Sequence, residues 1–198
     1  MERIKKQMEF LYEIDKLKDI FRQSLIINGK REENDAEHSW HMALVALTIK
    51  EYFIIKDFDL EKSLKMILIH DLVEIYAGDT PAFGAVRHDK KEEEIAAAKK
   101  LFALLPEDQE KEFLDLWLEF EECESSEAKY ANVCDRYQGF MQNLTSDGHT
   151  WKKFNASMKK VLKRAEVLQK YTPELFEKYM LPEFKKYRER DIIKDWFF

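Results

Sequence analysis

Apolar residues recur at steps of three and four along most of this chain, and this spacing constrains its fold more than any other feature. Near the N-terminus Ile4, Met8, Leu11, Ile14 and Leu17 follow the rule and would form one apolar stripe on an α-helix. Only five Gly and four Pro occur among 198 residues, which leaves few positions for the tight turns of a β architecture. The pattern therefore predicts an all-α protein.

The helical segments follow one another without a linker or an internal repeat, so we expect a single domain over residues 1–198. Asn34 and Glu37 have the spacing of a capping box, which predicts that a helix begins there. Gly78 is expected to end a later helix. The periodicity and the turn residues place the predicted helices at 2–22, 35–52 or 35–56, 60–76, 90–105, 107–122, 125–144, 150–171 and from 173 onward.

Composition and charge exclude several function classes. The net charge is −6 and the sequence pI is about 5.5, without the basic face that a protein binding duplex nucleic acid usually has. No segment stays apolar long enough for a secretory signal or a membrane span. Cys123 and Cys134 are too few for a disulfide framework. These observations predict a cytoplasmic protein with reduced thiols and no membrane partner.

Ionisable residues interrupt an apolar helical segment in LIHDLVEIYAGDTP, at residues 68–81. His70 and Glu74 are four residues apart, so both would project from the same side of a helix, and Asp71 is adjacent to His70. An imidazole nitrogen and a carboxylate oxygen that converge would suit a divalent metal. The His-Asp pair alone is also compatible with an ion pair at a helix end.

Two further ionisable residues lie in apolar surroundings. His38 precedes the apolar run MALVALTI, and Asp135 interrupts YANVCDRYQGFM. With His70 and Asp71 they give the order His, His-Asp, Asp, and this order strengthens the metal-site interpretation.

This order resembles the signature of the HD-domain superfamily of metal-dependent phosphohydrolases. The segments ENDAEHS, HDLVEIYAGDTP, LLPED and SSEAKY followed by CDR look like those of small HD-domain 5′-deoxynucleotidases. The resemblance covers about residues 22–142, and it implies an HD-type helical bundle with the flanking and C-terminal helices packed on that core.

The resemblance implies a role for each matching residue. His38, His70, Asp71 and Asp135 would hold one divalent cation, which would activate a water molecule as the nucleophile and neutralise phosphate charge. The remaining histidines, His41 among them, are too few for the extra ligands of two-metal members. The mixed nitrogen and oxygen ligands suit Mn, Co, Fe or Zn, and Mg less well.

Three other residues match functional positions of that family. Glu74 would manage the catalytic proton, although an ion-pairing carboxylate is the alternative. Arg22, expected at the end of the first helix, would bind the phosphate, or else be a solvated arginine. Asp79 would hydrogen-bond the sugar, or else be a turn residue. Gln23 follows Arg22 where the characterised branch has Trp, which puts discrimination between deoxyribose and ribose in doubt.

The expected function is hydrolysis of (deoxy)nucleoside 5′-monophosphates by a 5′-deoxynucleotidase-like phosphomonoesterase. An HD-type phosphodiesterase or nucleotide polyphosphate hydrolase is the alternative enzyme, and a non-catalytic nucleotide or metal binder is the alternative from another class. The resemblance also implies a homodimer.

Overall fold

The computed structural model describes residues 1–80, 82–83 and 90–195. The predicted all-α class is confirmed, with one small two-stranded sheet added. The α-helices are α1 (Glu2–Ile14), α2 (Asp35–Ile49), α3 (Leu60–Ile69), α4 (Glu74–Ala77), α5 (Lys90–Phe102), α6 (Glu107–Glu122), α7 (Ser126–Thr145), α8 (His149–Lys153), α9 (Met158–Arg164), α10 (Glu166–Tyr171), α11 (Pro173–Leu175) and α12 (Leu181–Glu189). Short 3₁₀ turns follow α1 and α2, and a π-helical turn, Phe176–Met180, precedes α12.

The first helix is shorter than the sequence predicts. After α1 the chain continues as a 3₁₀ turn, Asp15–Asp19, and then forms strand β1 (Phe21–Leu25). This strand pairs antiparallel with β2 (Glu32–Asn34). Strand pairing thus overrides the helical periodicity, and it places Arg22 in a strand instead of at a helix end.

The predicted capping box at the start of α2 is confirmed. The side chain of Asn34 accepts a hydrogen bond from the backbone N–H of Glu37 (2.9 Å), and Glu37 accepts one from the backbone N–H of Asn34. This reciprocal cap fixes the first turn of α2, which carries Asp35 and His38.

The predicted helix at 60–76 is divided in two. Helix α3 ends at Ile69, and α4 begins at Glu74 and ends before Gly78, whose φ is +75°. Between them the backbone tightens, and the N–H of Glu74 donates to the carbonyl of Asp71 (3.0 Å). In such tight turns, residues three apart in sequence lie directly above one another. Glu74 is therefore brought beside Asp71, whereas in a continuous α-helix it would lie one turn from His70.

Helix α7 lies at the centre of the fold and packs against α2, α3, α6 and α10. Large aromatic side chains fill the space around it, including the fully buried Trp117, Tyr130 and Trp151. The C-terminal segment predicted as one helix at 150–171 forms three, α8, α9 and α10. Asn155, at φ +46°, lies at the first break.

Several other features bear on the sequence-based expectations. Trp40 is 63% exposed on α2. Cys123 and Cys134 are both free. Residues 81 and 84–89, between α4 and α5, and residues 196–198 lie outside the described residues. In the part of the chain that is described, no helix has both the length and the apolar character needed to cross a membrane.

Candidate metal centre and active-site cavity

His38 lies in the first turns of α2 and is fully buried. Its Nδ1 is 2.7 Å from Oε1 of Gln138 on α7. Because an amide oxygen can only accept a hydrogen bond, this contact places the imidazole proton on Nδ1. The Nε2 lone pair of His38 is then free to bind a cation.

A buried carboxylate fixes the orientation of Gln138. The Nε2 group of Gln138 donates to Oε1 of Glu33 on β2 (2.8 Å), and Gln142 donates to the same oxygen (2.6 Å). A carboxylate oxygen accepts hydrogen bonds, so the amide nitrogen of Gln138 must face Glu33 and its oxygen must face His38. The sheet and α7 together therefore determine the tautomer of His38.

His70 lies at the end of α3 with its ring directed inward. Its Nδ1 donates to the carbonyl oxygen of Ile67 (2.8 Å), which leaves Nε2 facing the ring of His38, with 5.5 Å between the ring centroids. The backbone oxygen of His70 accepts a hydrogen bond from the indole of Trp117 (3.1 Å). The helix end is thus held by a buried aromatic residue.

The two imidazoles converge with two carboxylates. Ligating atoms of His38, His70 and Asp71 all lie within 4.8 Å of one another. Asp135 on α7 brings Oδ1 to 3.2 Å from Nε2 of His38. Among the described residues, neither Nε2 atom has a hydrogen-bond partner. Three buried groups that could bind one cation therefore converge, and Asp135 adjoins them at His38.

The electrostatics of this cluster favour positive charge. Burial alone would lower the pKa of His70, but the carboxylates of Asp71 and Asp135 outweigh it and raise the pKa to about 9. Burial would also raise the pKa of Asp71, yet His70 and Arg22 hold it below its usual range. A cation at this point would replace the proton as the compensating charge.

Arg22 bridges two buried carboxylates. Its Nη1 lies 2.6 Å from Oδ2 of Asp71 and 3.0 Å from Oδ1 of Asp35. Although burial opposes the charge, the surrounding carboxylates raise the pKa of Arg22 well above its ordinary value. Through Arg22, strand β1 is therefore joined by ion pairs to Asp35 of α2 and to Asp71 in the turn after α3.

A second acidic group lies beside the first. Asp35, Glu74 and Asp79 bring one carboxylate oxygen each within 4.8 Å of one another. Burial, followed by the charge of Asp71, raises the pKa of Glu74 well above its ordinary value and that of Asp35 to about 6. Burial also raises the pKa of Asp79. The raised pKa of Glu74 favours its protonated form more than in an exposed glutamate.

These groups open into a cavity of about 420 Å³. Its wall combines carboxylates with guanidinium groups and with apolar side chains such as Phe120 and Phe154. The described residues that line it are Arg22, Gln23, Ser24, His70, Asp71, Val73, Glu74, Asp79, Thr80, Ala82, Phe83, Lys90, Glu94, Trp117, Phe120, Glu121, Asn132, Asp135, Arg136, Gly139, Phe140, Asn143, Thr150, Phe154 and Arg164.

Comparison with known proteins agrees with this architecture. The family model of the HD domain matches residues 14–176. The chain belongs to the HD-domain family. A solved structure, described as a predicted metal-dependent phosphohydrolase from Magnetospirillum magnetotacticum, is 39% identical with a TM-score of 0.90. That match covers 97% of this chain and 96% of the other.

Curated relatives share a shorter region with this HD domain. The 5′-deoxynucleotidase HDDC2 of Bos taurus is 34% identical, and that of Homo sapiens is 33% identical, over 137 residues each. The alignments cover 68% of this chain, but they span 65% of the length of the relatives.

An HD domain implies a divalent metal, and the donor set fits one. The observation that decides the fit is the pair of buried Nε2 atoms that lack hydrogen-bond partners in the described structure, since buried polar atoms are otherwise nearly always paired. Each Nδ1 is held by an acceptor, as is usual for histidines that bind metals.

The structure brings together every residue that the sequence singled out for the site. His38, His70, Asp71 and Asp135 form the cluster, while Arg22, Glu74 and Asp79 line the adjoining cavity. Their individual roles stay predictions. His41 instead contacts Gln138, with 3.3 Å between His41 Nδ1 and Gln138 Nε2.

Sequence reasoning did not single out several residues that the fold places beside the cluster. Asp35 lies within ENDAEHS and Arg136 directly follows Asp135, so both were adjacent to the motif residues. Gln138 is one turn after Asp135, a spacing that could have indicated a contact on the same helix face. Glu33 is the first residue of ENDAEHS and so was also adjacent to the motif residues. Arg164 carried no such signal, because only tertiary packing brings it near the site.

Proposed function

We propose that this protein is a metal-dependent phosphohydrolase that removes the phosphate from (deoxy)nucleoside 5′-monophosphates. The observation that carries the proposal is the convergence of the Nε2 atoms of His38 and His70 with Asp71 and Asp135 beside a cavity of about 420 Å³. Ligand cavities of roughly 300–1,000 Å³ accommodate small molecules such as nucleotides. The names of the HDDC2 relatives and the description of the Magnetospirillum structure support the same reaction class.

One divalent cation would be held by His38, His70, Asp71 and Asp135. Two nitrogen and two oxygen donors suit Mn, Co, Fe or Zn, and suit Mg less well because of the imidazoles. When bound, such a cation supplies positive charge for the phosphate and lowers the pKa of a water molecule. The burial of these four residues keeps competing solvent from the cluster.

The residues of the adjoining wall would bind substrate and move protons. The raised pKa of Glu74 favours its protonated form, which could pass a proton to the leaving oxygen of the ester. Arg22 offers a guanidinium to phosphate oxygens, and Asp79 offers a carboxylate to a sugar hydroxyl. The substrate would thus be oriented by groups on β1 and on the turn after α4.

The sugar specificity depends on the surroundings of Gln23. Its Oε1 accepts a hydrogen bond from Lys153 of α8 (2.5 Å), and the side chain lines the cavity. A glutamine held in this way leaves more of the cavity free for the sugar of the substrate than the larger side chain of a tryptophan would. We therefore propose that both deoxyribose and ribose monophosphates are accepted.

Assembly and location are further parts of the proposal. We propose a cytoplasmic, single-domain protein that forms a homodimer. Trp40, Leu44 and Leu47 support the dimer, because they lie on one face of α2 and are 63%, 43% and 56% exposed. Exposed apolar stripes of this kind commonly become interfaces.

Release of inorganic phosphate from dAMP, dTMP and AMP, together with cleavage of a chromogenic phosphodiester, each with Mn, Co, Zn or Mg, tests the proposal. His70→Ala should abolish phosphate release, whereas His149→Ala at the start of α8 should not. Cleavage of the diester without phosphate release from the monophosphates would favour the phosphodiesterase alternative. Nucleotide binding without release under any metal would favour a non-catalytic binder.

A further inference from the structure

Arg164 is the last residue of α9, and its partly buried side chain lines the cavity. Within the described structure it forms no hydrogen bond and no ion pair. The other two cavity arginines are paired, Arg22 with Asp35 and Asp71, and Arg136 with Asp135. Arg164 therefore presents to the cavity a guanidinium group that no described carboxylate contacts directly, although the charges of Asp135 and Asp79 act on it.

This arrangement is unfavourable in the unliganded protein. Burial removes water from the guanidinium of Arg164, and the nearby charge of Arg136 repels it, so the pKa of Arg164 falls to about 9. An arginine in a protein interior normally has a carboxylate or phosphate partner.

Other groups that line the cavity bear on the charge around Arg164. Asn143 and Thr150 are neutral and joined by a 2.8 Å hydrogen bond, so neither supplies a counter-ion. The carboxylates Asp71 and Glu74 come instead from the turn after α3 and from α4. The positive charge of Arg164 helps to lower the pKa of Asp135, so the Arg164 side chain lies close to the proposed metal cluster.

We propose that Arg164 binds the phosphate group of the substrate where its side chain lines the cavity. Nη1 of Arg22 already contacts Asp35 and Asp71, so among the described arginines of the cavity Arg164 is the one that makes no hydrogen bond or ion pair. This inference rests on the proposed phosphohydrolase function and adds a second phosphate-binding arginine to it.

Titration of inorganic phosphate into the manganese-loaded protein tests the proposal directly by calorimetry. Arg164→Met should weaken phosphate binding about tenfold to a hundredfold, the usual effect of losing a hydrogen bond to a charged group. Arg164→Lys should lose less, because it keeps the charge. Lys163→Met is the matched control, since Lys163 is exposed on the same helix, and it should bind phosphate like the wild type.

A second readout separates binding from a structural role. Removing an unpaired buried charge should leave the Tm of Arg164→Met at or above that of the wild type without phosphate. Added phosphate should raise the Tm of the wild type more than that of the variant. Equal phosphate affinity in Arg164→Met and wild type, or no binding to either, would overturn the inference.

The outcomes also distinguish this inference from the proposed function. Phosphate binding that depends on Arg164, in a protein that hydrolyses no nucleotide, would sustain the phosphate site and refute the proposed reaction. Normal hydrolysis with full phosphate affinity in Arg164→Met would refute the phosphate site alone.

Discussion

Gln138 Oε1 lies 2.7 Å from His38 Nδ1, and this contact sets which imidazole nitrogen of His38 can bind a metal. Glu33 holds the amide of Gln138 in the required orientation. The metal cluster is thus supported by a chain of buried groups that reaches from α2 through α7 to β2.

Replacement of Gln138 by Leu should weaken divalent metal binding about tenfold to a hundredfold, because partners that orient metal-binding histidines have effects of this size. Competition with a fluorescent chelator would measure the change. Gln169→Leu, on the exposed side of α10, should have no effect. Unchanged metal affinity in Gln138→Leu would mean that Gln138 does not orient His38.

Glu74→Gln should lower turnover by about two to four orders of magnitude, the usual contribution of a general acid or base. The amide keeps the size of the side chain but cannot deliver a proton. Metal affinity should stay close to that of the wild type, which equilibrium dialysis would show. Glu122→Gln, an exposed position at the end of α6, serves as control, and full activity in Glu74→Gln would exclude the assigned role.

Arg22→Ala should destabilise the metal-free protein by about 3–5 kcal/mol, since it leaves two buried carboxylates without their shared cation. The free energy of unfolding from urea denaturation at neutral pH is the measurement. The exposed pair of Arg3 with Asp108 provides a contrast, and Arg3→Ala should change stability little. Similar losses in both variants would contradict a buried bridge at Arg22.

The stability of the metal-free protein should depend on pH through its acidic cluster. The carboxyl of Asp35 has a pKa of about 6 in the folded protein and an ordinary value of 3.8. Between these pH values the folded state binds more protons than the unfolded state, so the free energy of unfolding falls as the pH rises. The raised pKa of Glu74 acts in the same direction.

Thermal unfolding at a series of pH values between 4 and 7 would follow this loss. Asp35→Asn should flatten the dependence, because the neutral amide cannot ionise, and a bound divalent cation should flatten it too. A wild-type Tm that rises steadily over the same range would show that the acidic cluster does not control stability.

Leu44→Glu should convert the proposed homodimer to monomers, because it places a charge within the apolar face of Trp40, Leu44 and Leu47. Light scattering coupled to size-exclusion chromatography would report the mass. Leu68→Glu is a suitable control, since Leu68 is 54% exposed on a different helix. A monomeric wild type, or a variant that stays dimeric, would rule out this interface.

The sequence by itself determined the helical class, the capping box at Asn34 and the identity of the residues that converge on the site. These features depend on local periodicity, on a capping box that spans four residues and on the order of the motifs. All three can be read from the sequence. The structure places each predicted site residue either in the cluster or in the adjoining cavity.

Tertiary structure alone decided the remaining features. Pairing with β2 ended the first helix early and carried Arg22 into a strand, and the tight turn after Ile69 brought Glu74 beside Asp71. The contact of Glu33 with Gln138 and the approach of Arg164 to the site span long separations in sequence, which no local pattern predicts. The physical reason is that strand pairing and burial depend on contacts between segments that are distant in sequence. Those contacts form only when the chain folds into its tertiary structure.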